Sequence, residues 1–433
     1  MIKILKNILF CILFFANFQV FAQTTTSSPY SGFGLGDLKG SFLPQSRAIG
    51  GLSMGIRKTG GYNNINLANP ASYSAIQLTT FDIGAYLSAR QLSKGSLSEN
   101  NLNGTLSHVA FAIPLTKTSA LSFGLLPFSD FGYQYKNSSK IGAEPDISNV
   151  NYVYSGNGGL SKAYLGYGFQ LAKGLSLGAN INYVFGNIKD ARSTEFPDDG
   201  AALNSRTQNS KSIGGLSYDL GIQYSAKVSS ETNLTIGYTS NLGTKLNSTS
   251  TIVSTRYFKN FTTDETLPVD TTFFAESAKL KLSMPITHTL GFAFEKTNKW
   301  LVGADVTYSN WADYSEGDSN PGLNNSYGVA LGTQFTPDAT SVSNYFKLID
   351  YRFGLKYDKT FIKIADNDID QYAFTFGLGL PLQSNRSTFY KINVSAELGQ
   401  RGTLSNNLVR DRYVNINLGF TLNDRWFIKS KFD

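Results

Sequence analysis

The chain is nearly empty of cysteine. Its one thiol, Cys11, lies inside an apolar N-terminal run with no small-residue lipobox ahead of it, so beyond that run no disulfide and no thiolate metal site can form. Charge is scarce: Asp, Glu, Lys and Arg supply 16% of 433 residues, against roughly 25% in soluble domains. Apolar runs of helix-spanning length, about 20 residues, are missing after the N-terminus, which excludes a bundle of transmembrane helices. Histidine is limited to His108 and His288. His108 lies on a polar face with no Asp or Ser pattern beside it, and His288 shares parity with Leu290 and Phe292, placing it at a membrane rim. No paired metal-ligand spacing and no Ser-His-Asp order can be defended, so no catalytic residue, metal or cofactor is expected. Gly156-Asn157-Gly158-Gly159 lacks the Lys-Ser/Thr of a phosphate loop. The net charge of +7 is dispersed, so nucleic acid is not implied.

Apolar and aromatic residues are present, but spread out. Lys3 and Lys6 precede a short apolar core from Ile8 to Phe15, and Val20-Phe21-Ala22 places small or β-branched residues before Gln23. Residues 1–22 are therefore expected to be a cleaved secretory signal peptide. Past it, apolar residues recur at every second position. Leu175, Leu177, Ala179, Ile181, Tyr183 and Phe185 alternate with mostly polar or glycine positions, as do Leu216 to Tyr224, Tyr390 to Leu398 and Val414 to Phe420. Period two means strands with one apolar and one polar face. The runs last about 9 to 12 residues, the length of a tilted membrane strand. The opposite faces carry Gly, Ser, Asn and charges such as Asp82, Asp219, Asp305, Arg352, Lys356 and Glu397. Lipid cannot solvate these, so they should face a lumen, and the need to pair every backbone group forces the sheet to close. Tyr183, Phe185, Tyr224, Tyr238, Tyr308 and Tyr357 lie near strand ends, where an interfacial girdle would need them.

The expected fold is all-β: a transmembrane antiparallel β-barrel over residues 78–433, with about 14 strands. Polar stretches at Tyr135–Asn157, Lys189–Ser212, Asn241–Ala278 and Asp313–Asn344 read as outside loops; Ala172-Lys173-Gly174 and Thr297-Asn298-Lys299 read as periplasmic turns. Pro127 and Pro285 cannot donate a ladder hydrogen bond and mark strand kinks or strand ends. The location that follows is the outer membrane of a Gram-negative bacterium, with lipid as a partner and with lipopolysaccharide phosphates within reach of basic loops. Trp426 or Phe432, in the last strand, could serve as the aromatic signal read by the barrel assembly machinery, or belong to an interfacial cluster. Residues 23–77 lack the barrel pattern and are expected to form an N-terminal hatch in the lumen.

Within that segment stand Arg47-Ala48-Ile49-Gly50-Gly51-Leu52-Ser53-Met54-Gly55 and Asn66-Leu67-Ala68-Asn69-Pro70-Ala71. Further on come Leu282-Ser283-Met284-Pro285 and Gly303-Ala304-Asp305-Val306-Thr307-Tyr308-Ser309-Asn310-Trp311. In order and spacing these resemble the FadL-type outer-membrane transporters, and Ser28–Asp37 with the Leu422–Asp433 tail resembles a Bacteroidetes-type branch. The resemblance implies 14 strands, a hatch that blocks the lumen, and uptake of hydrophobic, long-chain fatty acid-like molecules by hatch movement and sideways exit. It assigns the hatch motif to Gly50, Gly51, Asn69, Pro70 and Ala71. Phe33, Leu35, Phe42 and Leu43 are candidates to face a ligand pocket or to pack the plug. The alternatives are a non-transporting accessory barrel that engages secretion-system proteins, as in the similar PorV-like branch, and a general porin.

Overall fold

The computed structural model describes residues 28–57, 63–142, 148–276, 279–364, 366–382 and 388–426; residues 1–22, expected as a leader, and Phe432 lie outside them. Fourteen strands form a ring: β1 (Thr79–Lys94), β2 (Leu97–Thr116), β3 (Ser119–Ile141), β4 (Ser148–Ala172), β5 (Leu175–Glu195), β6 (Asn204–Lys227), β7 (Thr232–Leu242), β8 (Thr287–Lys296), β9 (Trp300–Ser309), β10 (Ser326–Phe335), β11 (Asp350–Ile364), β12 (Asn367–Pro381), β13 (Phe389–Arg401) and β14 (Arg410–Asp424). Each is antiparallel to its neighbours, and β14 closes on β1 in unbroken register from Arg410–Ser93 to Asp424–Thr79.

The alternation decides which way each side chain points. On β5, Ile181 and Tyr183 are exposed while Asn180 and Asn182 are buried; on β14, Val414, Ile416 and Leu418 face out while Asn415 and Asn417 face in. Aromatics mark two levels on the outer surface. Trp300 pairs with Phe335, and Phe335 with Tyr351; higher up, Tyr308 pairs with Tyr327, and Tyr357 with Tyr372. Tyr351 and Tyr357 are six residues apart, about 20 Å of strand at roughly 3.3 Å per residue. That matches an apolar band of about 25 Å flanked by aromatic girdles.

The wall is taller on one side. β3 to β6 run for 23, 25, 21 and 24 residues, whereas β8, β9 and β10 have 10 each. Three of the four stretches expected as outside loops are largely strand. β3 reaches Ile141, β5 reaches Glu195, and beyond the break at Gly243-Thr244 a further strand, Lys245–Lys259, pairs with upper β6. It returns as Thr266–Glu276 and Leu280–Ser283, after which Met284-Pro285-Ile286 interrupts the wall before β8. Above the lipid both faces of a strand meet water, so the alternation fades while the ladder continues. The fourth stretch, Asp313–Asn344, contains barrel strand β10. Its inward positions Gly328, Ala330 and Gly332 gave little polar contrast to Tyr327, Val329 and Leu331, and residues 336–349 lie on the lower rim rather than outside. The turns at Gly174 and Asn298 do link β4 to β5 and β8 to β9, with φ of 82° and 59°. Pro127 sits at a register slip between β3 and β4.

Candidate functional site: the hatch and the luminal cavity

Residues 28–57 and 63–77 fill the lumen. Their floor contacts are backbone against backbone, made possible by inward-facing glycines on successive strands. A Cβ on Gly168, Gly178 or Gly221 would overlap Asn69 or Pro70; on Gly237 it would overlap Met54; on Gly332 and Gly354 it would overlap Ile49 and Gly50. These glycines oppose one another across the ladder, Gly168 to Gly178 to Gly221 and Gly303 to Gly332 to Gly354. They form a girdle on which the hatch backbone rests. Sequence reading registered their abundance but not their level; one glycine near the middle of each polar face was the available signal.

The hatch motif residues lie at this floor. Gly50 and Gly51 have φ of 77° and 89°, open to glycine at little cost. Gly50 N–H donates to Thr375 Oγ1 at 2.9 Å. Asn69 is fully buried and extended, as its position before Pro70 requires. Its Oδ1 accepts from Ala71 N–H at 3.1 Å, capping the 3-10 turn Pro70–Ala75, and its Nδ2 donates to Met54 O at 3.3 Å. From the wall, Asp305 Oδ2 accepts from the N–H groups of Ser53 and Met54 at 2.7 and 3.0 Å.

A second anchor sits higher. Asp37-Leu38 pairs with Ser129-Asp130 of β3. The Asp37 carboxylate meets Arg401 at 2.7 Å, Arg90 at 3.0 Å and Lys39 at 3.7 Å, while Lys39 reaches Asp130 at 3.2 Å and Arg90 reaches Asp411 at 2.7 Å. Burial alone would lift the Asp37 pKa; Arg401, Lys39 and Arg90 outweigh it and hold the carboxyl far below the usual carboxylate range. Burial works against the Lys39 ammonium, yet Tyr86, Asp37 and Asp130 keep its pKa above the ordinary value. Nearby, burial pushes the Tyr30 phenol up to about 12.

A cavity of about 440 Å³ lies between the floor and an apolar roof. The roof joins Leu35, Phe131, Leu160, Leu246, Trp311 and Tyr314, with the β9–β10 loop folded inward to supply the last two. The cavity wall mixes Phe42, Met284, Trp311 and Phe361 with Lys162, Asp219, Asp305, Lys356 and several threonines. Of the four apolar hatch residues considered from sequence, Phe42 lines this cavity. The other three do not. Leu35 packs into the roof and Leu43 against Tyr73 and Ile76, each 2% exposed, while Phe33 packs against the Tyr30–Ile362 cluster. Apolar side chains pointing at protein gain more burial than those at a mixed cavity wall.

His108 needs correction. Its Nε2 lies 2.7 Å from Asp82 Oδ1 on the neighbouring strand, and its Nδ1 lies 3.1 Å from Ser107 Oγ. Cross-strand register supplies a partner that adjacency in sequence could not reveal. All three are buried, Thr421 also bonds Asp82, and none lines the cavity, so the trio acts as a structural polar chain. His288 is on the outer surface, where its Nδ1 lies 2.8 Å from Tyr238 Oη. Among the described residues no cluster of His, Cys, Asp or Glu could hold a metal.

Fold and site together define a 14-stranded antiparallel β-barrel with its N-terminal segment folded into the lumen. Solved structures of similar fold include the CymD monoaromatic hydrocarbon channel (13% identity, 91% of this chain and 99% of that one, TM-score 0.56). The toluene transporter TbuX of Ralstonia pickettii (14%, 89% and 98%, 0.58) and a Pseudomonas aeruginosa FadL homologue (12%, 83% and 93%, 0.51) are also similar. No curated protein matches the sequence. The family model described as BamG matches residues 1–433, and the chain belongs to the BamG family.

Proposed function

We propose that this protein is a sealed accessory barrel of the Gram-negative outer membrane that works as a subunit of a barrel-assembly complex. The carrying observation is the fastening of the luminal segment. The glycine girdle seats it at the floor and the Asp37 ion cluster holds it above, while an apolar cluster packs against it on the outer side. A transporter needs a hatch that moves, and moving this one would leave buried Arg401 without a carboxylate and Arg90 with Asp411 alone. The Bam prefix of the family name supports the partner. On this reading residues 1–22 are the leader, 23–77 the hatch and 78–433 the barrel; Gly50, Gly51, Asn69, Pro70 and Ala71 set the hatch on the floor; and the basic loops meet lipopolysaccharide. A secretion-machinery subunit would share the sealed lumen but differ in partner.

Two observations favour a second reading, uptake of hydrophobic solutes. The β2–β3 ladder, among the described residues, stops at Val109–Leu125, and the cavity presents Phe42, Met284 and Phe361. Solutes taken up by hatch movement would leave there sideways into lipid, where apolar molecules gain free energy. The experiment is purification from outer membranes in mild detergent, followed by planar-bilayer recording and by uptake of labelled toluene and oleate in liposomes. Stoichiometric co-purification with the central assembly barrel, without conductance or uptake, is the expected result. Solute uptake by the isolated protein without that partner would overturn it.

A further inference from the structure

The tall side of the wall ends in a strand with nothing beside it. Thr266–Glu276 pairs with Lys245–Lys259 along one edge only. The strand that should flank its other edge is absent because β9 stops at Ser309 and the chain turns into the lumen at buried Trp311. Among the described residues only Ser315-Glu316 continues along that side, and its bonding ends where Gly317 N–H donates to Lys281 O at 2.8 Å, short of Thr266–Glu276. Among the described residues an open strand seat is left, with no ladder partner on that edge. Edges of this kind are ordinarily blunted by lysine, proline, bulges or a covering element; Pro268 and two register shifts interrupt this one, but no lysine or covering element does so among the described residues. Here both faces instead carry exposed apolar side chains: Leu267 at 67%, Val269 at 47%, Phe273 at 52% and Phe274 at 64%.

Charge narrows what fits. Residues 260–276 contain Asp264, Glu265, Asp270 and Glu276 and no Lys or Arg. Lys259 and Arg256 on the adjacent strand engage Asp264 and Asp270, leaving Glu265 and Glu276 near the two ends of the strand without an ion-pair partner among the described residues. None of the described residues covers the edge: Trp426 follows β14 at the opposite rim, and Ser28 N–H donates to Gly132 O inside the lumen.

We propose that Thr266–Glu276 is a docking edge that captures an extended segment of a partner protein by strand addition. The segment carries alternating apolar residues and a basic residue toward each end. Main-chain hydrogen bonds would supply affinity, and the apolar pairs with Glu265 and Glu276 would supply register and selectivity. This inference names how a partner is met and so rests on the accessory reading, but it has its own test.

A photo-reactive amino acid replaces Val269 in the full-length protein in living cells, and the cross-linked peptide is mapped by mass spectrometry. The expected product joins residue 269 to an extended, basic-flanked segment of another outer-membrane protein. Its yield should fall about tenfold, the equivalent of one decade in Kd, in Glu265→Lys/Glu276→Lys and in Phe273→Ser/Phe274→Ser; all four sites are exposed, so the barrel should assemble normally. A product of twice this chain's mass, a product with lipopolysaccharide alone, no product, or a yield unchanged in both variants would overturn the proposal. If co-purification with the assembly barrel survives in variants that lose the cross-link, the accessory role holds through another surface. If the wild type cross-links to a strand segment but never co-purifies with that barrel, the edge stands and the accessory role falls.

Discussion

The floor and the roof of the lumen are built by different means. At the floor, hatch backbone meets wall backbone over glycines, and buried ions fasten the segment above it. At the roof, side chains from β3 to β6 and from the β9–β10 loop meet in an apolar cluster beside a cavity. Backbone fits have no slack, because a main chain cannot change rotamer; side-chain fits yield by repacking. The floor should therefore be brittle and the roof forgiving.

The largest effect is expected from Gly354→Leu. Its Cβ would overlap the Gly50 backbone, and the penalty should exceed the roughly 1–3 kcal/mol typical of overpacking. Limited trypsin digestion of the purified barrel should newly cut after Arg47, whereas Gly200→Leu, with nothing within 4 Å, should digest like wild type. Equal digestion of both variants would erase the distinction.

Next comes Asp37→Ala, which leaves Arg90 and Arg401 without their shared carboxylate, a loss of about 3–5 kcal/mol. Thermal unfolding followed by heat-modifiable gel mobility measures it. The pH dependence sharpens the point. The Asp37 pKa is depressed in the folded state, so its contribution is present above the unfolded value of about 3.9 and is lost as pH falls below it. The gap between wild type and Asp37→Asn should stay constant at neutral pH and narrow only in strong acid.

Trp311→Ala tests the roof. Deleting a large core aromatic costs about 3–5 kcal/mol when the site cannot relax; beside an existing cavity the loss should be nearer 2 kcal/mol, and trypsin should still spare the hatch. Hatch cleavage in this variant would mean that roof and floor are one unit. Smallest of all, Arg256→Ala removes an exposed pair with Asp270 on the outer hairpin and should leave the unfolding temperature unchanged.

Much of the wall was legible in the chain. Period two at Leu175–Phe185 and Val414–Phe420 is dictated by lipid on one side and water on the other, and each run became a strand with the expected face outward. Legibility ended where both sides are wet, as at Lys245–Lys259, or where the inner face is glycine and alanine, as in β10. The lumen was harder. Asn69 and Pro70 announce a local turn, since their constraint is local. The Asp37 cluster draws on Arg90 and Arg401, and the His108 bond on Asp82; such partners meet only through barrel register, which no short window of sequence contains.

The glycine girdle has a temporal consequence. A plug that touches wall backbone on several strands is hard to thread into a finished ring, because the glycine contacts leave no clearance at the floor. If the hatch lies on the curling sheet before β1 finds β14, the seam at Thr79–Asp424 is the last pairing to form. The segment made first thus acts as the mandrel around which the last strand is wrapped.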